Sequence, residues 1–121
     1  MAAHFGNQFT GTIPVGGSLS QVIDTEAWDV LGLVVYPNTG TIVAGSIQFR
    51  VSHFNSGEYN GTLHPLHDNT GARVAFNIST AGRTFGYSQV QTIAPYRYVQ
   101  IEMTANQVNQ VNVVLPAKSD S

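Results

Sequence analysis

The residues of this chain best suited to chemistry fall in two short clusters. His64-Pro-Leu-His67-Asp68 offers two imidazoles and a carboxylate, donor types that hold zinc. The spacing works against a metal, because positions i and i+3 of a strand face opposite sides of a sheet. His53 joins them only if folding carries it there. The segment reads as an edge strand running into a turn with exposed histidines. The second cluster is Asp24, Glu26 and Asp29 around Trp28. Paired carboxylates can do acid–base work or hold calcium, and a Trp beside acids is one way to build a sugar site. The EF-hand spacing and its mid-loop glycine are absent, so the cluster reads as a solvated turn with Trp28 covering one edge of the core.

Nucleophile signatures are missing. There is no Gly-x-Ser-x-Gly elbow and no cysteine. Gly40, Gly45, Gly57 and Gly61 are turn glycines without the Lys-Ser or Lys-Thr of a phosphate loop. Asn60-Gly-Thr62 and Asn77-Ile-Ser79 fit the glycosylation pattern. They read as chance matches, because Met1-Ala-Ala-His-Phe-Gly6 lacks the basic-then-apolar order of a secretory signal. The expectation is a module that is not an enzyme and uses neither cofactor nor metal.

The elements that would position any site read as short strands. At 121 residues and 42% hydrophobic content, one domain with a packed core is expected. Ser46–His53 alternates cleanly, with Ile47, Phe49 and Val51 on one face. Arg73–Ser79 places Val74, Phe76 and Ile78 inward. Tyr96–Met103 places Val99, Ile101 and Met103 inward, and Gln110–Leu115 places Val111, Val113 and Leu115 inward. Gly11–Val15, Ser18–Asp24, Thr62–Asp68 (an edge strand, from Pro65) and Thr84–Ile93 complete the set. Val30–Tyr36 is a near-continuous apolar run, as for a strand buried on both faces. Thr25–Asp29 is the sole helix candidate, one turn at most. Eight or nine strands separated by turn signals describe an all-β antiparallel sandwich or jelly roll. Its bounds are residues 10–116, between an N-terminal arm of residues 1–9 and a frayed tail of residues 117–121.

Charged residues make up 10% of the chain, against about 25% in an ordinary soluble domain. Asn, Gln, Ser and Thr take their place. A surface this poor in charge has lost a main defence against association, which suggests that other subunits cover it. Arg50, Arg73, Arg83, Arg97 and Lys118 are too scattered for nucleic acid, and no apolar run approaches the length that spans a membrane. The candidate contact residues are aromatic: Trp28, Tyr59, Tyr87, Tyr96 and Tyr98, with Tyr96 and Tyr98 on the polar side of their strand. Phe5 and Phe9 join them, because an arm carrying two phenylalanines must dock on a neighbour or tuck beneath the sandwich.

The order of these features resembles the small accessory virion proteins of tailed bacteriophages. The resemblance is carried by Ser18-Leu-Ser20, Leu31-Gly-Leu-Val-Val-Tyr-Pro37, Ile47-Gln-Phe-Arg-Val-Ser52, Pro65-Leu-His-Asp-Asn-Thr-Gly71, Tyr96-Arg-Tyr-Val-Gln-Ile101 and Val108-Asn-Gln-Val-Asn-Val-Val-Leu115. It covers roughly residues 10 to 116 and is one of pattern, with no single diagnostic motif. It implies a capsid decoration, or cement, protein made in the host cytoplasm and seated on the virion. Its partners would be the major capsid protein and further copies of itself, usually as a trimer. No catalytic or ligand residue is carried over. The alternative is a carbohydrate-binding module or a tail-fibre or baseplate component, with Trp28 and its neighbouring acids at the sugar site.

Overall fold

The structure, a computed structural model, describes residues 4–26, 28–52 and 63–120. Among these the chain is almost entirely β. Its strands are β1 (His4–Ile13), β2 (Ile23–Asp24), β3 (Asp29–Val30), β4 (Leu33–Pro37), β5 (Gly45–Ser52), β6 (His64–Pro65), β7 (Ala75–Ile78), β8 (Arg83–Phe85), β9 (Tyr98–Met103) and β10 (Val111–Asp120), with one helical turn, α1 (Tyr87–Val90). They form two antiparallel sheets. The first runs β1-β10-β4-β8 with β3 also on β10, and the second runs β2-β9-β5-β6 with β7 also on β5.

β1 takes one whole side of β10, so β3 and β4 share the other and act as one interrupted strand. β6 and β7 share one side of β5 in the same way. With each pair counted once, the sheets run first–last–third–sixth and second–seventh–fourth–fifth. That is a jelly roll, in which nearly every connection crosses from one sheet to the other.

The alternating strands behave as their spacing predicts. Ile47, Phe49 and Val51, then Val99, Ile101 and Met103, then Val111, Val113 and Leu115 are all buried. Ile78 is buried, and Val74 and Phe76 pack against the core. Aromatic rings join the layers: Phe49 meets Phe76 at 6.3 Å, and Phe76 meets Phe85 of the other sheet at 5.6 Å.

Five expectations are corrected. Residues 4–9 are not an arm and residues 117–120 are not a frayed tail, for β1 and β10 pair in register from His4 opposite Asp120 to Ile13 opposite Val111. This pairing is invisible locally because it joins the two ends of the chain. Val30–Tyr36 is not buried on both faces: Leu33 and Val35 point inward, while Val34 is half-buried and Tyr36 is 42% exposed. A two-layer sandwich gives each sheet a single inner face.

Thr84–Ile93 is a strand only to Phe85. The chain then turns helical, because Gln89 Oε1 accepts the Gly86 N–H (2.9 Å) and the three-residue spacing of Val90 and Ile93 buries both. The described residues of 25–29 are not helical: Trp28 N–H donates to Thr25 O (2.9 Å), Glu26 has a φ of 57°, and Asp29 begins β3.

Gly82 ends the turn from β7 to β8 at a φ of +91°, and a Cβ there would collide with Val35 O. Backbone, not a flexible side chain, blocks it. Gly82→Ala should therefore cost about 2–4 kcal/mol. An unfolding midpoint in urea equal to that of the wild type would contradict this.

Candidate functional site

The two outer faces of the sandwich differ in chemistry. On the β2-β9-β5-β6 sheet, Gln48 lies opposite Glu102 and Arg50 opposite Gln100. Glu102 accepts a hydrogen bond from Arg73 and lies 3.8 Å from Arg50. Arg73 Nη2 also donates to Phe49 O (3.2 Å). This face holds charge, and the charge is paired.

The outer face of the β1-β10-β4-β8 sheet holds none over its centre. Burial of Val111, Val113 and Leu115 forces the intervening residues of β10 outward. The register then builds cross-strand rows: Thr10–Val114–Val34–Thr84, beside Thr12–Asn112–Tyr36, with Gln8 opposite Pro116. Every one of these side chains is neutral. Neutral amides hold one another in place: Gln21 Oε1 accepts the Thr12 N–H (2.8 Å), Gln21 Nε2 donates to Thr12 Oγ1 (3.0 Å), and Asn112 Nδ2 donates to Asn38 Oδ1 (3.2 Å). Between them lies a shallow depression of about 520 Å³, bordered by Tyr36 and Val114. A flat sheet face of Thr, Val, Tyr and satisfied amides can be desolvated at low cost, because no ion must be stripped of water.

A second feature stands at the end of the sandwich where β10 begins. Gln107 is 1% exposed. Its Oε1 accepts the Val43 N–H (2.7 Å), and its Nε2 donates to Val43 O (3.3 Å) and Ala105 O (3.1 Å). Its backbone pairs with Gly16 and Gly17. One residue, through its side chain and its backbone, thus ties three loops together, and these loops present Val15 and Val108, 68% and 66% exposed. No periodicity marks Gln107 in the sequence, and Tyr36 is concealed there within an apolar run.

The sequence-predicted residues are dispersed. Tyr98 is buried, contrary to its expected place on an exposed face, with the Arg97 guanidinium 5.3 Å from its ring centre. Tyr96 packs against the core. Phe9 does the same and meets half-buried Trp28 edge-on at 5.9 Å, so it is satisfied within its own chain. Tyr87 is 51% exposed on α1. Tyr59, His53 and the side chain of Phe5 lie outside the described residues.

The two chemical clusters have structural partners. Asp24 grips Arg97 with both oxygens (2.8 and 3.0 Å), and its Oδ1 also accepts the Glu26 N–H. Asp29 lies opposite Lys118. Asp68 Oδ1 accepts hydrogen bonds from the Thr70 hydroxyl and from the amides of Thr70 and Ala72, closing the 68–71 turn. His64 and His67 are exposed, with His67 Nδ1 3.2 Å from Pro65 O. Among the described residues no three His, Asp or Glu side chains gather. The chain matches no family model, no curated protein and no solved structure.

Both aspartates are held below the ordinary carboxyl value of 3.8: Asp24 chiefly by the Arg97 hydrogen bond, Asp68 chiefly by the Thr70 hydroxyl. A lowered folded-state value means the folded protein releases these protons more readily than the unfolded chain. Their stabilisation is complete above that ordinary value and is lost as pH falls below it through the lowered values. Asp24→Asn should shrink this acid-side loss, measured as melting temperature against pH from 6 down to 2. An identical profile in the variant would contradict the assignment. Gln107→Ala strands half-buried polar groups on Val43 and leaves a gap where a buried side chain stood, and should cost about 1–3 kcal/mol by urea denaturation. A loss below about 0.5 kcal/mol would show that the loops do not depend on it.

Proposed function

We propose that this chain is a capsid decoration protein of a tailed phage, a non-enzymatic jelly roll that stabilises the head by laying the uncharged face of its β1-β10-β4-β8 sheet on the shell of major capsid protein. The single observation that carries the reading is that face: rows of neutral side chains centred on Val114 and Tyr36, in a protein whose other face pairs its charges. Interfaces are depleted in charge at their centre and enriched in Tyr. A cement protein makes modest contacts many times over the shell, and multivalent seating renders each of them effective. Self-association belongs to the same reading, because a copy bound to its neighbours gains their contacts.

The deletion of residues 1–9, which an arm would tolerate, is not a clean test, since it removes six of the ten residues of β1 and the Phe9–Trp28 contact. Val114→Glu is clean, because Val114 faces outward in the middle of a row. It should leave the melting temperature within a few degrees of wild type. Its affinity for assembled heads lacking the protein should fall at least tenfold, because an unpaired carboxylate would be buried at the contact. Wild-type occupancy by the variant, read by co-sedimentation with heads, would overturn the reading.

Tyr36 among neutral amides also suits a neutral glycan, which is the second reading; Trp28 is less suited, because its ring packs on Phe9 and Asp24 is taken by Arg97. Glycan-array binding that disappears in Tyr36→Ala would favour it.

A further inference from the structure

The edges of the two sheets are protected unequally. β2, β3 and β6 are two residues long, β8 three and β7 four. β6 contains Pro65, β2 is held at Asp24 by Arg97, and Arg83 Nη1 donates to Asn77 O on β7 (2.9 Å). Short length, proline and charge are the usual devices that keep a sheet edge from pairing. β1 has none of them. It lies at the end of its sheet, runs ten residues from His4 to Ile13, and contains no Asp, Glu, Lys, Arg or Pro.

Among the described residues, the hydrogen-bonding groups that β1 turns away from β10 can be assigned. Pro116 has no N–H, and its carbonyl accepts from Leu31 N (2.8 Å) on the side away from β1. Gln8 lies opposite Pro116 and so turns its own N–H and C=O outward. The Thr12 N–H agrees, because it goes to the Gln21 side chain and not to β10. By alternation Gly6 and Thr10 face the same way. Asn7 Oδ1 sits on the Gln8 N–H (2.8 Å), a local bond that a carbonyl from another strand can replace.

We infer that β1 is a self-association strand, pairing antiparallel with β1 of a second copy about a two-fold axis at Gln8. With the Thr12 N–H taken by Gln21, His4 would meet an occupied partner, so about this axis the outward groups available among the described residues are those of Gly6, Gln8 and Thr10. Gly6 against the partner's Thr10, Gln8 against the partner's Gln8, and Thr10 against the partner's Gly6 use all three, forming about six backbone hydrogen bonds. The fit is self-complementary: the larger Thr10 meets a glycine, and neutral residues meet neutral residues. Such an isologous contact closes on itself. It would also join the two outer faces, neutral at their centres with Lys118 and Asp29 beside the seam, into one continuous surface. The symmetry is a two-fold, in place of the three-fold that the virion-protein resemblance implies. The inference names the element for the self-association proposed above but rests on the strand edge alone, and it is tested on the free protein, so its failure leaves shell binding untouched.

Gln8 is exposed, and at the two-fold axis it faces its own copy, where like charges repel. Sedimentation equilibrium of the full chain should show dimers. Gln8→Lys and Gln8→Glu should each raise the dimer dissociation constant at least tenfold without changing the melting temperature. An equimolar mixture of the two should restore dimers by pairing Lys with Glu. A wild-type monomer at every concentration, a trimer, a dimer indifferent to both substitutions, or a mixture that stays monomeric would each overturn the inference.

Discussion

The structure depends on one strand and its alternation. β10 is paired along both sides, by β1 on one and by β3 and β4 on the other, and its inward residues Val111, Val113, Leu115 and Ala117 are 0 to 3% exposed. A slip of one residue would turn that set outward, so burial fixes the register of every strand in the sheet. The same constraint fixes what the solvent meets. Asn112, Val114 and Pro116 must lie outside, with Thr10, Thr12, Val34 and Tyr36 beside them. The neutral face is thus the second reading of the same alternation that builds the core.

Low charge has an internal role as well. Uncharged polar side chains fasten loops to strands where an ion would be costly to bury. Gln107 ties three loops. Thr25, wholly buried, donates to Arg97 O (2.7 Å). Ser20, 4% exposed, accepts the Ile101 N–H (3.0 Å) and donates to Gln21 O (2.8 Å). Composition alone merges this structural use with a contact surface, and burial separates them. Part of the amide and hydroxyl content holds the fold together, and another part covers one outer face.

The fold was legible wherever a period of two was strict. β5, β7, β9 and β10 each turn an alternating apolar set toward the core, and the all-β sandwich follows from them. Legibility failed where structure is non-local or short. Nothing near His4 or Asp120 announces that they pair, and a three-residue strand followed by a helical turn has no period to detect. Side-chain type alone marks an aromatic residue as a contact candidate, and tertiary packing takes Phe9, Tyr96 and Tyr98 inward. Tyr36 could have been found by parity: Leu33 and Val35 are the buried set, so Val34 and Tyr36 belong to the other face. The decoy was the apolar character of the whole run.

Oxidative footprinting of the protein, free and seated on heads, tests the central claim most directly. The account predicts that Tyr36 is labelled in the free protein and protected on the head, while His67 on the opposite sheet's edge is labelled equally in both. Equal labelling of Tyr36 in the two states, on particles that carry the protein, would contradict it.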